Sequence, residues 1–280
     1  MSTTAPSEVR IASLVPSLTE LVAALGLGER LVARTGWCIH PAATVAGVPK
    51  VGGTKTVNLD KLRRLAPTHV LVNVDENRRE TVEAIRAWGD AAPEIIVTHP
   101  VDPEDNIALI ARMTTHFGSL PGVAERAAAL NAALSRELAA TRPAGRDPVK
   151  VLYLVWHAPW MTVARDTYLS RMLARINWLT LPDAPGGESG AARYPALSGS
   201  EPWLGQVERI LLSSEPFAFE RRHLDEAQAL CPSACVQRIN GELLSWYGAR
   251  AVAGLSYLRA LADDNRAPDR AVAGVNTPGP

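Results

Sequence analysis

Two glutamates stand at corresponding places in the two halves of this chain. Glu76 follows the apolar run Val-Leu-Val-Asn at 70–73, Glu215 follows Ile-Leu-Leu-Ser at 210–213, and a helical pattern opening with two arginines comes next in both cases. Two carboxyl groups facing each other across a cleft serve either as an acid–base pair or as hydrogen-bond acceptors for a ligand. With His40, these glutamates are the candidates for catalysis. Because the chain contains no Gly-x-Ser-x-Gly, His-Glu-x-x-His or Gly-x-Gly-x-x-Gly motif, we favour binding over catalysis.

Aromatic residues form a second group of candidates. They make up only 5% of the chain, yet many of them fall in segments that we expect to be loops following strands. Flat, rigid apolar walls with a few polar anchors suit a bulky apolar ligand. Packing of loops against the protein would explain any one of these residues, but their clustering favours a binding site. The predicted walls are Trp37, Trp156, Trp160, Tyr194, Phe217, Trp246 and Tyr247.

Polar residues in the same loops are the candidate anchors: Ser17, Thr54, Asn77, Glu215 and Arg250. The turn Val-Gly-Gly-Thr-Lys at 51–55 lacks the spacing of a phosphate-binding loop, so its glycines instead let the backbone approach a ligand.

Metal ligation has weak support in the sequence. Cys38 and His40 alternate on an extended segment, and Cys231 and Cys235 lie four residues apart, but neither pair has further ligands at metal-site spacing. We predict no metal site formed by the protein. His40 either caps a metal carried by the ligand or, by default, is a hydrogen-bonded loop histidine.

The elements that must position these residues alternate between short apolar runs and helical patterns, which predicts parallel βαβ units. The segment 122–141 is rich in Ala, Leu, Glu and Arg without interior Gly or Pro, and it predicts one long helix. The predicted fold is therefore α/β, with two Rossmann-like lobes joined by a backbone helix. The predicted units are a first lobe at 1–120, the helix at 121–145, a second lobe at 146–263 and a flexible tail at 264–280.

Charge and hydropathy exclude some classes of protein. Lys+Arg and Asp+Glu both number 29, so the chain lacks the basic excess of a general nucleic-acid binder. No apolar run approaches the roughly 18 residues of a membrane span. The first 17 residues lack the pattern of a secretory signal, and we expect a cytoplasmic protein unless the chain is a trimmed mature form.

Several stretches, taken in order, resemble the vitamin B12- and iron-siderophore-binding proteins of ABC transporters, a class with a helical backbone. The stretches are Arg-Ile-Ala-Ser-Leu-Val-Pro-Ser-Leu-Thr-Glu at 10–20, Val-Gly-Gly-Thr at 51–54, Leu-Ala-Pro-Thr-His-Val-Leu-Val at 65–72, and Ser-Trp-Tyr at 245–247 with Arg250. The resemblance covers about residues 9–262. Thr68-His69 departs from the family's usual Asp-Leu.

The resemblance implies a ligand between the lobes. A corrinoid such as cobalamin is favoured, and haem or a ferric siderophore comes next. It also implies docking of a partner protein through one glutamate per lobe, for which Glu80 and Glu220 are the candidates, although Arg79 stands nearest the family position in the first lobe. Two alternatives remain: a chelatase or corrinoid-modifying enzyme on the same fold, and a docking module whose cleft is vestigial.

Overall fold

The computed structural model describes residues 8–143 and 145–263. Parallel strands in these residues form two four-stranded sheets, and all ladders between neighbouring strands are parallel. The strands are β1 (Ile11–Ser13), β2 (Leu31–Arg34), β3 (His69–Asn73), β4 (Glu94–Thr98), β5 (Val149–Leu154), β6 (Trp178–Thr180), β7 (Arg209–Ser213) and β8 (Cys235–Ile239).

Helices connect the strands and cover the sheets. They are α1 (Pro16–Ala24), α2 (Ala42–Val45), α3 (Leu59–Arg64), α4 (Arg79–Arg86), α5 (Asp105–Phe117), α6 (Val123–Ala140), α7 (Tyr168–Ala174), α8 (Arg222–Leu230), α9 (Gly241–Ser245) and α10 (Arg250–Asp263). No helix within the described ranges is both long enough and apolar enough to cross a membrane.

The two sheets share one topology. The first has the order β2-β1-β3-β4 and the second β6-β5-β7-β8, so β3 and β7 occupy equivalent positions. Strands β3 and β7 are buried along almost their whole length, as expected for parallel strands covered on both faces. The predicted α/β fold with two parallel-sheet lobes is confirmed.

Helix α6 lies within the predicted linking segment 121–145 and is held firmly at its C-terminal end. Leu134 and Leu138 are buried on its inner face. Thr141 Oγ1 donates to the carbonyl of Leu255 in α10 at 3.3 Å, and Arg175 Nε donates to the carbonyl of Thr141 at 3.0 Å. Arg259 of α10 also pairs with Glu137. The predicted tail, 264–280, lies outside the described residues.

One boundary difference from the sequence-based prediction concerns α4. We predict a helix from Glu76, but α4 begins at Arg79. The amide of Asn77 is the reason: its Oδ1 accepts the backbone N–H of Asn73 at 2.9 Å, and its Nδ2 donates to the carbonyl of Leu14 at 3.3 Å. These bonds hold the residues after β3 in a turn. The short elements α2, β6 and α9 have no counterpart in the prediction.

Candidate functional site

The carboxyl ends of β7 and α9 together position Glu215. Its Oε1 accepts a hydrogen bond from Trp246 Nε1 at 2.8 Å and another from the hydroxyl of Ser245. Both donors belong to the second lobe, and Trp246 is only 6% exposed. Burial raises the pKa of Glu215 above its ordinary value, although the two hydrogen bonds oppose the rise. Glu215 is therefore a preorganised acceptor.

Glu76, in the equivalent loop after β3, has its hydrogen-bond donor in the other lobe. The hydroxyl of Tyr247 donates to Glu76 Oε1 at 3.3 Å. Burial raises the pKa of Glu76 to about 8, and the nearby negative charge of Glu215 adds to the rise. The structure thus brings together the two glutamates that the sequence pairs, one from each lobe.

A second contact between the lobes joins Asp75 to Arg193. Arg193 Nε lies 2.9 Å from Asp75 Oδ1, and Arg193 Nη2 donates to Asp75 Oδ2 at 3.1 Å. Arg193 is 1% exposed and also donates to the carbonyl of Gly187 at 2.6 Å. His99 Nε2 lies 3.5 Å from Asp75 Oδ2. Sequence analysis missed this group, although Asp75 adjoins Glu76 and Arg193 adjoins the predicted wall residue Tyr194.

The rims of the cleft carry exposed apolar side chains. Trp37 is 67% exposed and Ile39 50% exposed in the loop after β2, and Trp156 is 41% exposed in the loop after β5. The ring of Phe217 supports Trp156 edge-on, with the centroids 5.5 Å apart. Because the loops after these strands lie at the carboxyl ends of the two sheets, each lobe presents one exposed indole at the ligand-binding edge of an open α/β sheet.

Trp160 belongs to the support of this rim. Its ring stacks on Phe219 at 5.9 Å and meets the edge of His157 at 4.5 Å. Trp160 and Phe217 also pack on the apolar core of the second lobe. The structure therefore gives Trp160 a role in holding the loop that carries Trp156.

His157, His223 and Glu226 bring potential metal-ligating atoms within 4.8 Å of one another beside this rim. His157 Nε2 lies 2.7 Å from Glu226 Oε2. However, Nδ1 of His223 accepts the backbone N–H of Glu220 at 2.7 Å, so the proton of the neutral ring lies on Nε2. His223 therefore has no free lone pair for a cation while this bond persists, and we assign it to fixing the start of α8.

Three predicted site residues have different surroundings from those we expect. Ser17 is 2% exposed, and in this arrangement its hydroxyl is not available to a ligand. The amide of Asn77 is used by the backbone of its own lobe, including the carbonyl of Thr54, to which Nδ2 donates at 3.0 Å. Trp246 is buried and serves Glu215 rather than forming a wall. Thr54 itself is half-buried beside the glycine turn.

Arg250, a predicted anchor, instead joins the two lobes. Its Nε lies 2.7 Å from Glu20 Oε2 in α1, and it also pairs with Glu242 of α9. The guanidinium lies 4.4 Å above the ring of Trp246. His40 reaches the same group from the first lobe, with Nε2 3.4 Å from Glu242 Oε1. The structure therefore gives Arg250 and His40 interlobe contacts within the protein.

Tyr194 and Tyr247 lie at the floor of the cleft, as expected of wall residues, but they face carboxyl groups. Burial raises the pKa of Tyr194, and the nearby Asp75 adds to the effect. Tyr247 is 5% exposed.

A cavity of about 400 Å³ opens elsewhere, between α1 and α10, and is lined in part by Ala23, Ala249 and Arg250. Near Glu76 and Glu215 the two cross-lobe contacts span the floor.

The fold and the cleft together define a two-lobed α/β binding protein. Residues 11–182 match the periplasmic binding protein family, and because this match spans more than half of the chain, the chain belongs to that family. Family membership makes it a substrate-binding protein of the ABC-transporter type rather than an enzyme.

Individual relatives agree with this assignment. The chain is 26% identical over 221 residues to the vitamin B12-binding protein of Vibrio cholerae serotype O1 (strain ATCC 39315), covering 78% of this chain and 72% of that protein. It is 27% identical over 174 residues to an uncharacterized ABC transporter substrate-binding lipoprotein of Bacillus subtilis (strain 168), covering 60% of this chain and 54% of that protein.

Solved structures share the fold. The periplasmic vitamin B12-binding protein of Vibrio cholerae superposes with a TM-score of 0.72 at 19% identity, covering 91% of this chain and 96% of that one. A periplasmic heme-binding protein from Pseudomonas aeruginosa gives 0.72 at 20% identity, covering 93% and 95%. At these identities the likeness concerns the fold alone.

Proposed function

We propose that this protein binds a corrinoid, with cobalamin favoured, between its two lobes. The observation that carries the proposal is the pair of exposed indoles, Trp37 and Trp156, at the carboxyl ends of the two sheets. Exposed apolar groups at a cleft indicate a surface that a ligand covers. A corrinoid offers a large apolar ring to such walls. The vitamin B12-binding relatives support this choice of ligand over haem or a ferric siderophore.

The contacts across the floor limit where the ligand lies. The contacts between Tyr247 and Glu76 and between Arg193 and Asp75 join the lobes directly. A ring as large as a corrin therefore contacts the rims first, and reaches the carboxyl groups only when these contacts separate. Binding at the floor therefore requires both side-chain pairs to part.

The test is equilibrium dialysis of the purified protein against cyanocobalamin, haemin and a ferric siderophore, with the bound ligand measured by its own absorbance. We expect saturable binding of cyanocobalamin. Trp37→Ala and Trp156→Ala should each weaken binding by about tenfold, in keeping with the roughly 1–2 kcal/mol that a rigid aromatic contact contributes.

Trp203→Ala is the matched control, because Trp203 packs on the core of the second lobe and precedes β7, at the opposite end of the strand from the loop with Glu215. It should leave the affinity unchanged. Tighter binding of haemin than of cobalamin would replace the corrinoid by haem. Absence of binding by all of the ligands below about 100 μM, a free energy of only about −5.5 kcal/mol, would reject the proposal.

The predicted docking glutamates lie on the surface, one in each lobe. Glu80 and Glu220 are exposed near the starts of α4 and α8, and Glu220 pairs with Arg222 at 3.2 Å. Docking of an ABC permease at this surface and a cytoplasmic location both stay predictions.

A further inference from the structure

We propose that Lys55 binds a phosphate group carried by the ligand, so that the protein favours corrinoids that bear this phosphate over those that lack it. This specificity rests on the proposed corrinoid function. A complete corrinoid such as cobalamin carries a phosphodiester on the arm that joins its ring to the nucleotide base, whereas cobinamide ends in the same arm without the phosphate. A positive group beside the ring can therefore distinguish the two.

Lys55 lies at the tip of the glycine turn of the first lobe. Gly53 and Thr56 exchange backbone hydrogen bonds of 3.2 and 3.3 Å across this turn. Lys55 is exposed at the tip, and its Nζ donates to the backbone carbonyl of Asp75 at 2.7 Å. Because an ammonium has three N–H donors, this bond fixes the position of Nζ and leaves two donors for a ligand.

The positive charge of Lys55 has no carboxylate partner in the surrounding loop. Asp75 is held by Arg193, with Nε 2.9 Å from Oδ1. Burial raises the pKa of Glu76 to about 8, so this side chain carries a proton at neutral pH. Arg78 is exposed and near enough for its charge to act on Lys55. Neither Lys55 nor Arg78 forms an ion pair within residues 8–143 and 145–263, and both therefore attract an anion.

The same turn adjoins the exposed indole of Trp37. A Cβ on Gly53 would lie 3.5 Å from Trp37 Nε1, so the glycine lets the edge of the indole lie against the turn. Across the described part of the chain, the indole N–H and the backbone N–H groups of Thr54 and Lys55 have no acceptor. Phosphate oxygens accept hydrogen bonds from such groups. The apolar wall for the ring and the donors for the phosphate thus lie side by side.

An anion at this position also stabilises the charged form of Lys55. Partial burial lowers the pKa of the ammonium, whereas the nearby Glu76 and Asp75 oppose this effect. A phosphate beside Nζ adds negative charge and favours the ammonium further. Because the turn is exposed to solvent, screening weakens the attraction, and the gain stays near that of one charge-assisted hydrogen bond.

The experiment compares dicyanocobinamide with dicyanocobinamide phosphate, which share ring, metal, axial ligands and amides and differ by the phosphate. Equilibrium dialysis at neutral pH measures both affinities. We expect the unmodified protein to bind the phosphorylated form about tenfold more tightly, which corresponds to about 1.4 kcal/mol. Lys55→Met should lower this ratio to less than about threefold by weakening only the binding of the phosphorylated form. Lys55→Arg keeps the charge and should retain most of the ratio.

Lys61→Met is the matched control, because it removes the same charge from an exposed lysine of the first lobe, in α3. It should leave the ratio unchanged. Equal affinity of the unmodified protein for both corrinoids, or an unchanged ratio in Lys55→Met, would overturn the role of Lys55, while binding of cobinamide itself would uphold the proposed corrinoid function.

An equimolar amount of inorganic phosphate should not compete with the phosphorylated corrinoid. If it abolished the difference between the two corrinoids, the turn would be a site for free phosphate, and recognition of the ligand's own phosphate would be rejected. If neither cobinamide form nor cobalamin binds, the proposed function itself fails, and the specificity assigned to Lys55 fails with it.

Discussion

The loops after β3 and β7 occupy equivalent positions in the two lobes, yet they are stabilised in opposite ways. Glu215 finds both of its donors, Ser245 and Trp246, within its own lobe. Glu76 finds its donor, Tyr247, in the other lobe. Asp75, beside Glu76, likewise pairs with Arg193 of the other lobe.

The two loops therefore differ in whether their carboxyl groups need the other lobe for stabilisation. The loop of the second lobe is preformed, because its bonds do not depend on how the lobes sit. In the first lobe, Asn77 holds the loop locally, but the carboxyl groups of Asp75 and Glu76 find their partners Arg193 and Tyr247 only when the lobes are in contact. Removing the partners of Asp75, Glu76 and Glu215 one at a time tests whether the two loops differ in this way.

The largest effect should come from Arg193→Met. This change leaves the carboxylate of Asp75 without its buried partner, and the free energy of unfolding should fall by about 3–5 kcal/mol. Urea denaturation measures it. The double variant with Asp75→Asn should recover part of the loss. Arg165→Met is the control, since the Arg165–Asp183 pair is largely exposed on the aspartate side and is worth less than about 1 kcal/mol. Equal losses in the two single variants would show that the first loop needs no partner in the other lobe.

Stability should also fall as the pH rises from about 5 to about 8. The pKa of Glu76 is raised to about 8 in the folded protein, whereas its ordinary value is 4.5, so the folded state holds a proton that the unfolded state has lost. The stabilisation is complete below pH 4.5 and disappears as the pH passes through 8. We expect a loss of about 2–3 kcal/mol across this window, allowing for partial exposure.

Thermal unfolding at several pH values checks this dependence. Glu76→Gln should flatten the curve over the same window. Glu215→Gln should flatten it less, because the hydrogen bonds from Ser245 and Trp246 oppose the rise in the pKa of Glu215. A curve that is equally steep in the Glu76 variant would contradict the assignment.

Trp246→Phe tests the preformed loop. It removes the indole donor from Glu215 and leaves a buried acceptor with one bond fewer, so unfolding should become easier by about 1–3 kcal/mol. Trp178→Phe provides a comparison, because Trp178 is equally buried but its ring contacts Arg209 rather than a carboxylate. A loss no greater than that of Trp178→Phe would mean that the bond to Glu215 contributes nothing.

The smallest effect should be that of Tyr247→Phe, which removes the hydroxyl that donates to Glu76 at 3.3 Å. The expected cost is about 0.5–1.5 kcal/mol. Amide hydrogen exchange should quicken in residues 74–77 but not in residues 213–216. Tyr257→Phe removes a hydroxyl bonded within the second lobe, to the backbone N–H of Asn240, and should leave residues 74–77 unaffected. Faster exchange in both loops would remove the contrast between them.

Sequence patterns predict the long and strongly apolar elements well. Strands β3 and β7 contain the apolar runs 70–73 and 210–213, and α6 fills the predicted helical segment 122–141 to within one residue at each end, since buried apolar runs and helical composition dominate there. Where a side chain competes with the helix for backbone groups, the prediction is wrong. Asn77 shows this at the start of α4, because its Nδ2 bonds to the distant carbonyls of Leu14 and Thr54, contacts that leave no local pattern.

The sequence predicts the part of the site that occurs in both lobes. The shared pattern after two strands places Glu76 and Glu215 opposite each other without any structure. Arg193 and Asp75 are 118 residues apart, and no periodicity connects them. The burial of Trp246 is equally invisible, because an aromatic residue in a loop looks the same in sequence whether it faces a ligand or supports a carboxylate. Contacts between the lobes are therefore visible only in the structure.

Helix α6 has a mechanical consequence for what the cleft can hold. Its 18 residues make a rod of about 27 Å, and its last turn is fixed to α10 and α7 by several side chains. A rod fixed in this way resists bending, so the gap between the lobes changes by small rotations whose amplitude grows with distance from the rod. The width of the cleft therefore varies only within a narrow range. A given rotation changes the width less near the floor than at the rims. The thickness of a ligand is therefore more tightly restricted near the floor than its breadth is at the rims.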